Sequence, residues 1–431
     1  MAIMLRETWN VIQLGIGMCL VFFAFTSQGF IVETVLSDRH DEDPKISENA
    51  GYYSQTIIYG CFIFSNIVAP PIIKLLTPKW SLVFGSSAYT VYMIGYQFLN
   101  PYYLYASAAY EGLCAGALWT AMGEYLALNS NERTIGRNSG LVWIIYTSSF
   151  IFGGIFLLIM FGNTSDEYIS KDQMRALFGC FAVVCFLGNC IFALLEQTHK
   201  TRGKIMLKDY VLELKKSWDL LWTMDLLLLV PLFGFSGMEL SFFSSVYSTA
   251  LSFTQQFSIN TNKLMALNSI AVGVGELAGG IPFLLLGKRL TLRRFGNTII
   301  VLLGVTVAYG AYIITFINLP GQASFEKTCD TSFLSNPSVA LALIGGAMLG
   351  FTDACVNTAI YSFISVRYRE RTVQAFALHK FVHAALSTVC MFYGSVLELQ
   401  WQLLILILGG AISLTSFAIA ELRWDHMQFI K

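Results

Sequence analysis

The residues best suited to chemistry are ionisable groups lying inside long apolar runs. Gly350, Asp353, Asn357 and Tyr361 are spaced three, four and four residues apart, which puts a carboxylate, an amide and a phenol on one stripe of a helix. Such a stripe binds a polar solute or a proton. Its structural alternative is a hydrogen-bond network that locks the helix to a neighbour. Glu239 starts a second stripe, continued by Phe243 and Tyr247. Those rings either stack on a ring-bearing or cationic solute or serve packing alone. Glu111, Glu124 and Glu276 are further acids in apolar surroundings, and His379, Lys380 and His383 are the bases. Glu124 reads as a gate residue or as a group reaching the membrane interface. Lys380 needs an anion, either Asp353 or Glu239, unless it snorkels to the surface.

Other chemistries find no residues to carry them. His379 and His383 share a helix face without further Cys or His ligands nearby, so no metal is expected. Gly273-Val274-Gly275-Glu276 sits in an apolar run and follows no strand, which removes a dinucleotide fingerprint and suggests close helix contact. No Walker loop, kinase set or nucleophile elbow is visible, and neither an enzyme nor a cofactor is expected. Cys329 is the one cysteine in a loop, so an internal disulfide is not expected.

The elements that must position these groups follow from composition. Of 431 residues, 55% are apolar and 13% charged, about half the charge of an average soluble protein. Disorder, collagen and a soluble globule are excluded. Lys and Arg balance Asp and Glu at 27 each, so no net charge points to nucleic acid. The fold class is all-α: a polytopic membrane protein whose backbone groups are satisfied within helices. Twelve spans are expected at 9–31, 51–73, 80–99, 102–128, 140–161, 174–195, 225–250, 262–286, 297–318, 338–364, 373–396 and 401–421. The first run lacks a small-residue cleavage site and is kept as a span.

Charge in the connections orients the map. With a cytoplasmic N-terminus, 20 Lys and Arg lie inside and six outside, Lys380 being within a span, so both termini are expected in the cytoplasm. Residues 1–195 form an N-terminal six-helix bundle and 225–431 a C-terminal one. Between them, 196–224 is a cytoplasmic linker whose spaced Ile205, Leu207, Val211, Leu212 and Leu214 suggest an interfacial amphipathic helix. The outside loop at 32–50, with Asp41, Glu42 and Asp43, reads as solvated. Asn163-Thr164-Ser165 is a glycosylation sequon on the outside, almost at the membrane surface.

The halves share fragments. Gly17-Met18-Cys19-Leu20-Val21-Phe22-Phe23 and Gly237-Met238-Glu239-Leu240-Ser241-Phe242-Phe243 agree at five of seven positions, 220 residues apart. Glu132-Arg133-Thr134 and Glu370-Arg371-Thr372 repeat at an offset of 238, as do Gly112 and Gly350. A two-fold repeat of six spans is a transporter plan, with the site between halves near mid-membrane.

This architecture resembles the major facilitator superfamily. Pro71 to Lys79, Gly112 to Tyr125 (with Leu118-Trp119-Thr120) and Gly350 to Thr358 are similar to its Unc-ninety-three-like branch, most of all to the orphan major facilitator domain-containing subgroup. The resemblance implies that spans 1, 4, 7 and 10 line a central cavity and that the chain is a secondary carrier of a small polar or amphipathic solute, with proton coupling. Asp353, Asn357 and Glu239 would contact solute or proton. Pro78-Lys79-Trp80 stands where the superfamily carries an Asp-Arg pair, so the usual gating salt bridge is not supplied. Some members of the branch resemble potassium-channel regulators or receptor escorts, which implies a rival role as a non-transporting scaffold with a channel or receptor partner. Neither tail carries a sorting signal that separates the plasma membrane from endolysosomal membranes.

Overall fold

The computed structural model describes residues 2–130, 134–161, 168–197, 207–291, 295–368 and 370–430. The Asn163 sequon, Glu132-Arg133 of the repeated fragment, and Lys200, Arg202, Lys204 and Ile205 of the linker lie outside these residues. The fold is all-helical, and no β-strand occurs among the described residues.

The helices are α1 (Ala2–Glu42), α2 (Ala50–Gly95), α3 (Pro101–Leu128), α4 (Ile135–Phe161), α5 (Lys171–Ala193), α6 (Leu207–Leu221), α7 (Met224–Leu227), α8 (Val230–Ser241), α9 (Tyr247–Phe253), α10 (Thr261–Thr291), α11 (Gly296–Asn318), α12 (Val339–Arg367), α13 (Thr372–Gly394) and α14 (Leu399–Ile430). Local signals set several ends. Asn100 caps α3 through its side chain and Pro101 fills the first turn, where a missing N–H costs nothing. Ser170 and Gln173 close a capping box at the start of α5.

Three departures from the sequence reading have physical causes. Spans 51–73 and 80–99 are the two arms of α2. The helix breaks only at Thr77, whose backbone is left-handed (φ 72°, ψ 156°), just before Pro78. The expected connecting loop is therefore a single non-helical residue. Residues 32–42 are not a solvated loop but about three further turns of helix α1. Glu33, Asp38 and Arg39 are buried there because partners exist, while Asp41, Glu42 and Asp43 are exposed. Finally, α8 and α9 are joined by a π-helical turn, Phe242–Val246, which shifts the phase of the helix after Glu239.

Ten helices of the described residues are long and apolar enough to cross a bilayer; the second arm of α2 and α3 are not among them. The chain is an integral, multi-pass membrane protein. Twelve crossings remain the reading of the apolar runs.

In the first half α1 packs on α2, α4 and α5, and α2 on α3 and α5. In the second, α8 packs on α13 and α14, α10 on α12, and α11 on α12 and α14. Two seams join the halves, α4 against α10 and α2 against α13. The repeated glycines do the same job in each half. A Cβ on Gly112 of α3 would sit 2.2 Å from the Ile58 carbonyl of α2, and one on Gly350 of α12 would sit 2.1 Å from the Val272 carbonyl of α10. Only glycine lets the backbones approach that closely.

At the end away from the termini, polar bonds tie the halves together. Thr34 donates to Ser252 (2.9 Å), Ser248 to the Phe30 carbonyl (2.8 Å) and Tyr52 to the Ser324 carbonyl (2.6 Å). At the terminal end, bonds made within each half are prominent: Arg6 with Glu196, Asn10 with Asn129, and Arg367 with Asp225.

Candidate functional site

A chamber of about 70 Å³ lies in the seam between the halves. Its N-terminal wall is largely aromatic, with Phe22 and Phe25 of α1, Tyr59 of α2, Trp119 of α3, and Trp143 and Tyr146 of α4. Its C-terminal wall carries the polar groups: Ser244 and Ser245 of the π-turn, Asp353 and Asn357 of α12, and Lys380 and His383 of α13.

Asp353 and Asn357 lie one helical turn apart, and the Asn357 amide donates to Asp353 Oδ1 at 2.9 Å and to its carbonyl at 3.1 Å. Asn357 Oδ1 has no hydrogen-bond partner. Behind Asp353 lies the buried Glu276 carboxyl of α10, one oxygen of which, like the Trp143 indole N–H, has no hydrogen-bond partner. Two carboxyl groups bond to one another only when one carries a proton. The pair can therefore hold a proton in the wall of the chamber.

Lys380 is 9% exposed and its ammonium lies 4.6 Å from the centre of the Trp119 ring and 5.9 Å from that of Tyr361. Among the described residues no carboxylate lies within 4.0 Å of it. The expected ion pair with Asp353 or Glu239 is not made. Asp353 bonds Asn357 and adjoins Glu276, and Glu239 is turned away. Nor does Lys380 snorkel to the surface, because its amine rests on rings at the chamber wall. His383 and His379 flank it, and both share the Ser236 hydroxyl, at 3.0 and 3.4 Å.

The other predicted residues sit elsewhere. Glu239 is fully buried and accepts a hydrogen bond from Tyr312 of α11. Tyr247 donates to the Ala342 carbonyl of α12 at 2.6 Å. Both point into the second half, away from the chamber, whereas Phe243, in the π-turn between them, meets Phe150 of the first half. Glu111 is fully buried inside the first half, and neither carboxylate oxygen has a hydrogen-bond partner. Glu124 is half-buried on α3, two turns toward the terminal end from the chamber. Tyr361 borders the chamber, its ring 5.6 Å from Trp143 across the seam and 4.9 Å from Phe376. This contact and that of Lys380 with Trp119 close the chamber toward the terminal end.

Residues 42–418 match the family described as ion channel regulatory protein UNC-93. The chain belongs to the UNC-93 family. It is 32% identical over 438 residues to the UNC93-like protein MFSD11 of Xenopus laevis, covering 96% of each chain. A more distant member, UNC93-like protein 3 of Arabidopsis thaliana, is 23% identical and matches 93% of this chain and 83% of its own. Among solved structures, this UNC-93 family chain has the fold of major facilitator transporters. It is similar to the peptide transporter POT in complex with alafosfalin (TM-score 0.68, 12% identity, 96% and 94% of the two chains). It is also similar to the Escherichia coli fucose:proton symporter FucP (TM-score 0.62, 10% identity, 95% and 99%).

Two groups of the UNC-93 chamber escaped the sequence reading. Glu276 was visible as an intramembrane acid, but its glycine neighbours pointed only to packing. Trp119 stands out only as part of the segment Gly112 to Tyr125, and Trp143 carries no signal of its own in a chain with 34 Phe, 20 Tyr and eight Trp.

Proposed function

We propose that this protein is a secondary carrier that moves a small polar or amphipathic solute by alternating access, coupled to a proton. The observation that carries this reading is the chamber between the halves, whose wall holds Asp353, Asn357 and Lys380 in a lining rich in aromatic rings. The two six-helix bundles, 1–195 and 225–431, rock about the seams, and the linker 196–224 lies on the cytoplasmic side with both termini. The polar bonds at the far end then shut the chamber on the non-cytoplasmic side, and separation of the Trp143–Tyr361 and Trp119–Lys380 contacts opens it to the cytoplasm.

Asp353 and Glu276 take up the coupling proton. Chamber opening admits water to Asp353, the proton leaves, and the carboxylate is free to attract Lys380 or release solute. Glu111, Glu239 and Glu124 are reserve sites for protons or gates away from the solute. The fold needs no cofactor for this cycle. The test is a metabolite comparison of sealed vesicles containing wild-type or Asp353→Asn protein. A solute gained or lost in wild-type vesicles alone, with flux that follows a pH gradient, is expected. Equal contents, or an identified flux whose pH dependence survives Asp353→Asn, overturns the reading.

A second reading is a scaffold that regulates a channel or escorts a receptor. It is favoured by the family's description as channel regulatory and by the connection at Thr77, which leaves no room for the superfamily's gating loop. It predicts a stoichiometric membrane-protein complex that Asp353→Asn does not disturb.

A further inference from the structure

We infer that the solute is an organic anion, a carboxylate borne on an apolar or ring-bearing body, and that Lys380 is its counter-charge. The inference rests on the chamber being the solute site and goes beyond it by naming the chemistry.

The argument starts from an imbalance in the wall. Asp353 already holds a partner at bonding distance, the Asn357 amide. Lys380 is nine-tenths buried and lines the chamber, with ring faces against its ammonium and its nearest attracting carboxylate, Asp353, beyond ion-pair distance. A cation–π contact offsets only part of the penalty for taking an ion out of water. The missing partner is negative, and the open space beside the amine is where it fits. The chamber surface also carries donors: the phenols of Tyr59 and Tyr146, the imidazole of His383, and the Ser245 hydroxyl and Trp143 indole N–H, the last two without a hydrogen-bond partner. A carboxylate, which only accepts hydrogen bonds, is complementary to an ammonium with such donors around it.

The rest of the solute is read from the opposite wall. Phe22, Phe25 and Phe150 offer faces and edges but no hydrogen-bonding partner for a polyol, and the Trp119 ring adds apolar area beside them. Phe22 and Trp119 lie 5.0 Å apart and Trp119 and Tyr146 5.8 Å apart, a continuous apolar surface beside the amine. A cationic solute would use the same rings but would meet Lys380 as a like charge.

The experiment uses the purified full chain in detergent and three probes of one shape: phenylacetate, its neutral isostere phenylacetamide, and phenethylamine. Binding is followed by the thermal unfolding midpoint as each is titrated to the millimolar range. Phenylacetate is expected to raise the midpoint of the wild type, and the amide and amine are not. Lys380→Gln is expected to weaken phenylacetate at least tenfold, and Lys380→Arg to retain most of it. Lys380→Met guards against misfolding, because removing a buried charge without an anion should leave the unliganded midpoint equal or higher. An equal response to the amide, a response to the amine alone, full affinity in Lys380→Gln, or no response to phenylacetate each overturns the inference. Phenylacetate bound but not transported in liposomes leaves it standing and removes the carrier reading.

Discussion

Lys327, in the loop before α12, places its ammonium 2.9 Å from Asp38 at the far end of α1, joining the two halves where the chain is distant from its termini. Asp38 is 2% exposed and also accepts the Ile169 N–H at 2.9 Å, so it is held on one side and bridged on the other. Among the described residues, the pair adds a charged contact to the neutral bonds of Thr34, Ser248 and Tyr52.

That bridge makes Lys327→Ala a test of gating. The lysine is 35% exposed, so solvent screens the pair and its loss is set at about 1 kcal/mol, roughly a fivefold shift between open and closed forms. Ser245→Cys, in the chamber wall, should react several-fold faster with a maleimide in nanodiscs when Lys327 is alanine, and at the parent rate when it is arginine. Mass spectrometry at position 245 gives the rate. Unchanged labelling would show that the bridge does not hold the far end shut.

The Glu276–Asp353 contact predicts that the two acids act as one unit. Glu276→Gln keeps a donor beside Asp353 but cannot pass on the shared proton. Flux of the transported solute should fall at least tenfold and lose its dependence on a pH gradient, as in Asp353→Asn. The double variant should be no worse than either single one. Additive losses in a double-mutant cycle would separate the two groups.

Close packing of α10 on α12 sets that contact. Gly275 precedes Glu276, and a Cβ there would sit 1.9 Å from the Ala347 carbonyl of α12. Gly275→Ala and Gly350→Ala must therefore push the helices apart, at a cost of about 1–3 kcal/mol. The unfolding midpoint should drop in both, and the pH response of Gly275→Ala should weaken with it. A stable Gly275→Ala protein with normal pH dependence would mean that the helices need not touch.

At the terminal end, Arg6 donates to Glu196 and holds its carboxyl below the usual carboxylate range. The sign follows: the bridge contributes at neutral pH and is lost as pH falls through the folded carboxyl's range. Both side chains are solvent-accessible, so the effect is small. Glu196→Gln should narrow the difference between unfolding midpoints at pH 7 and pH 3.5. An identical difference in the variant would show that Arg6 makes no net contribution.

Much of this molecule can be read without coordinates, and the unread part has definable causes. Apolar runs reveal helices because lipid forbids unsatisfied backbone, and the i, i+4 spacing of Asp353 and Asn357 holds in the regular helix α12. The Glu239–Tyr247 stripe fails at Phe243, which lies in a π-turn, and no residue type announces such a turn. Residues 32–42 carry charges that look solvated. Their burial depends on Lys327 and Ile169, which are remote in sequence. Lys380 was legible as a charge in need of a partner, but the Trp119 ring on which it lies comes from the other half of the chain.

The two ends of the chamber are fastened by different forces. One end is held by directional oxygen and nitrogen contacts, the other by ring surfaces that meet across the seam. Apolar contact loses strength on cooling, whereas hydrogen bonds do not share that dependence. Temperature is then a handle on which door yields: chilling loosens the ring-lined side first, and the balance between the two access states traces a curved van 't Hoff plot.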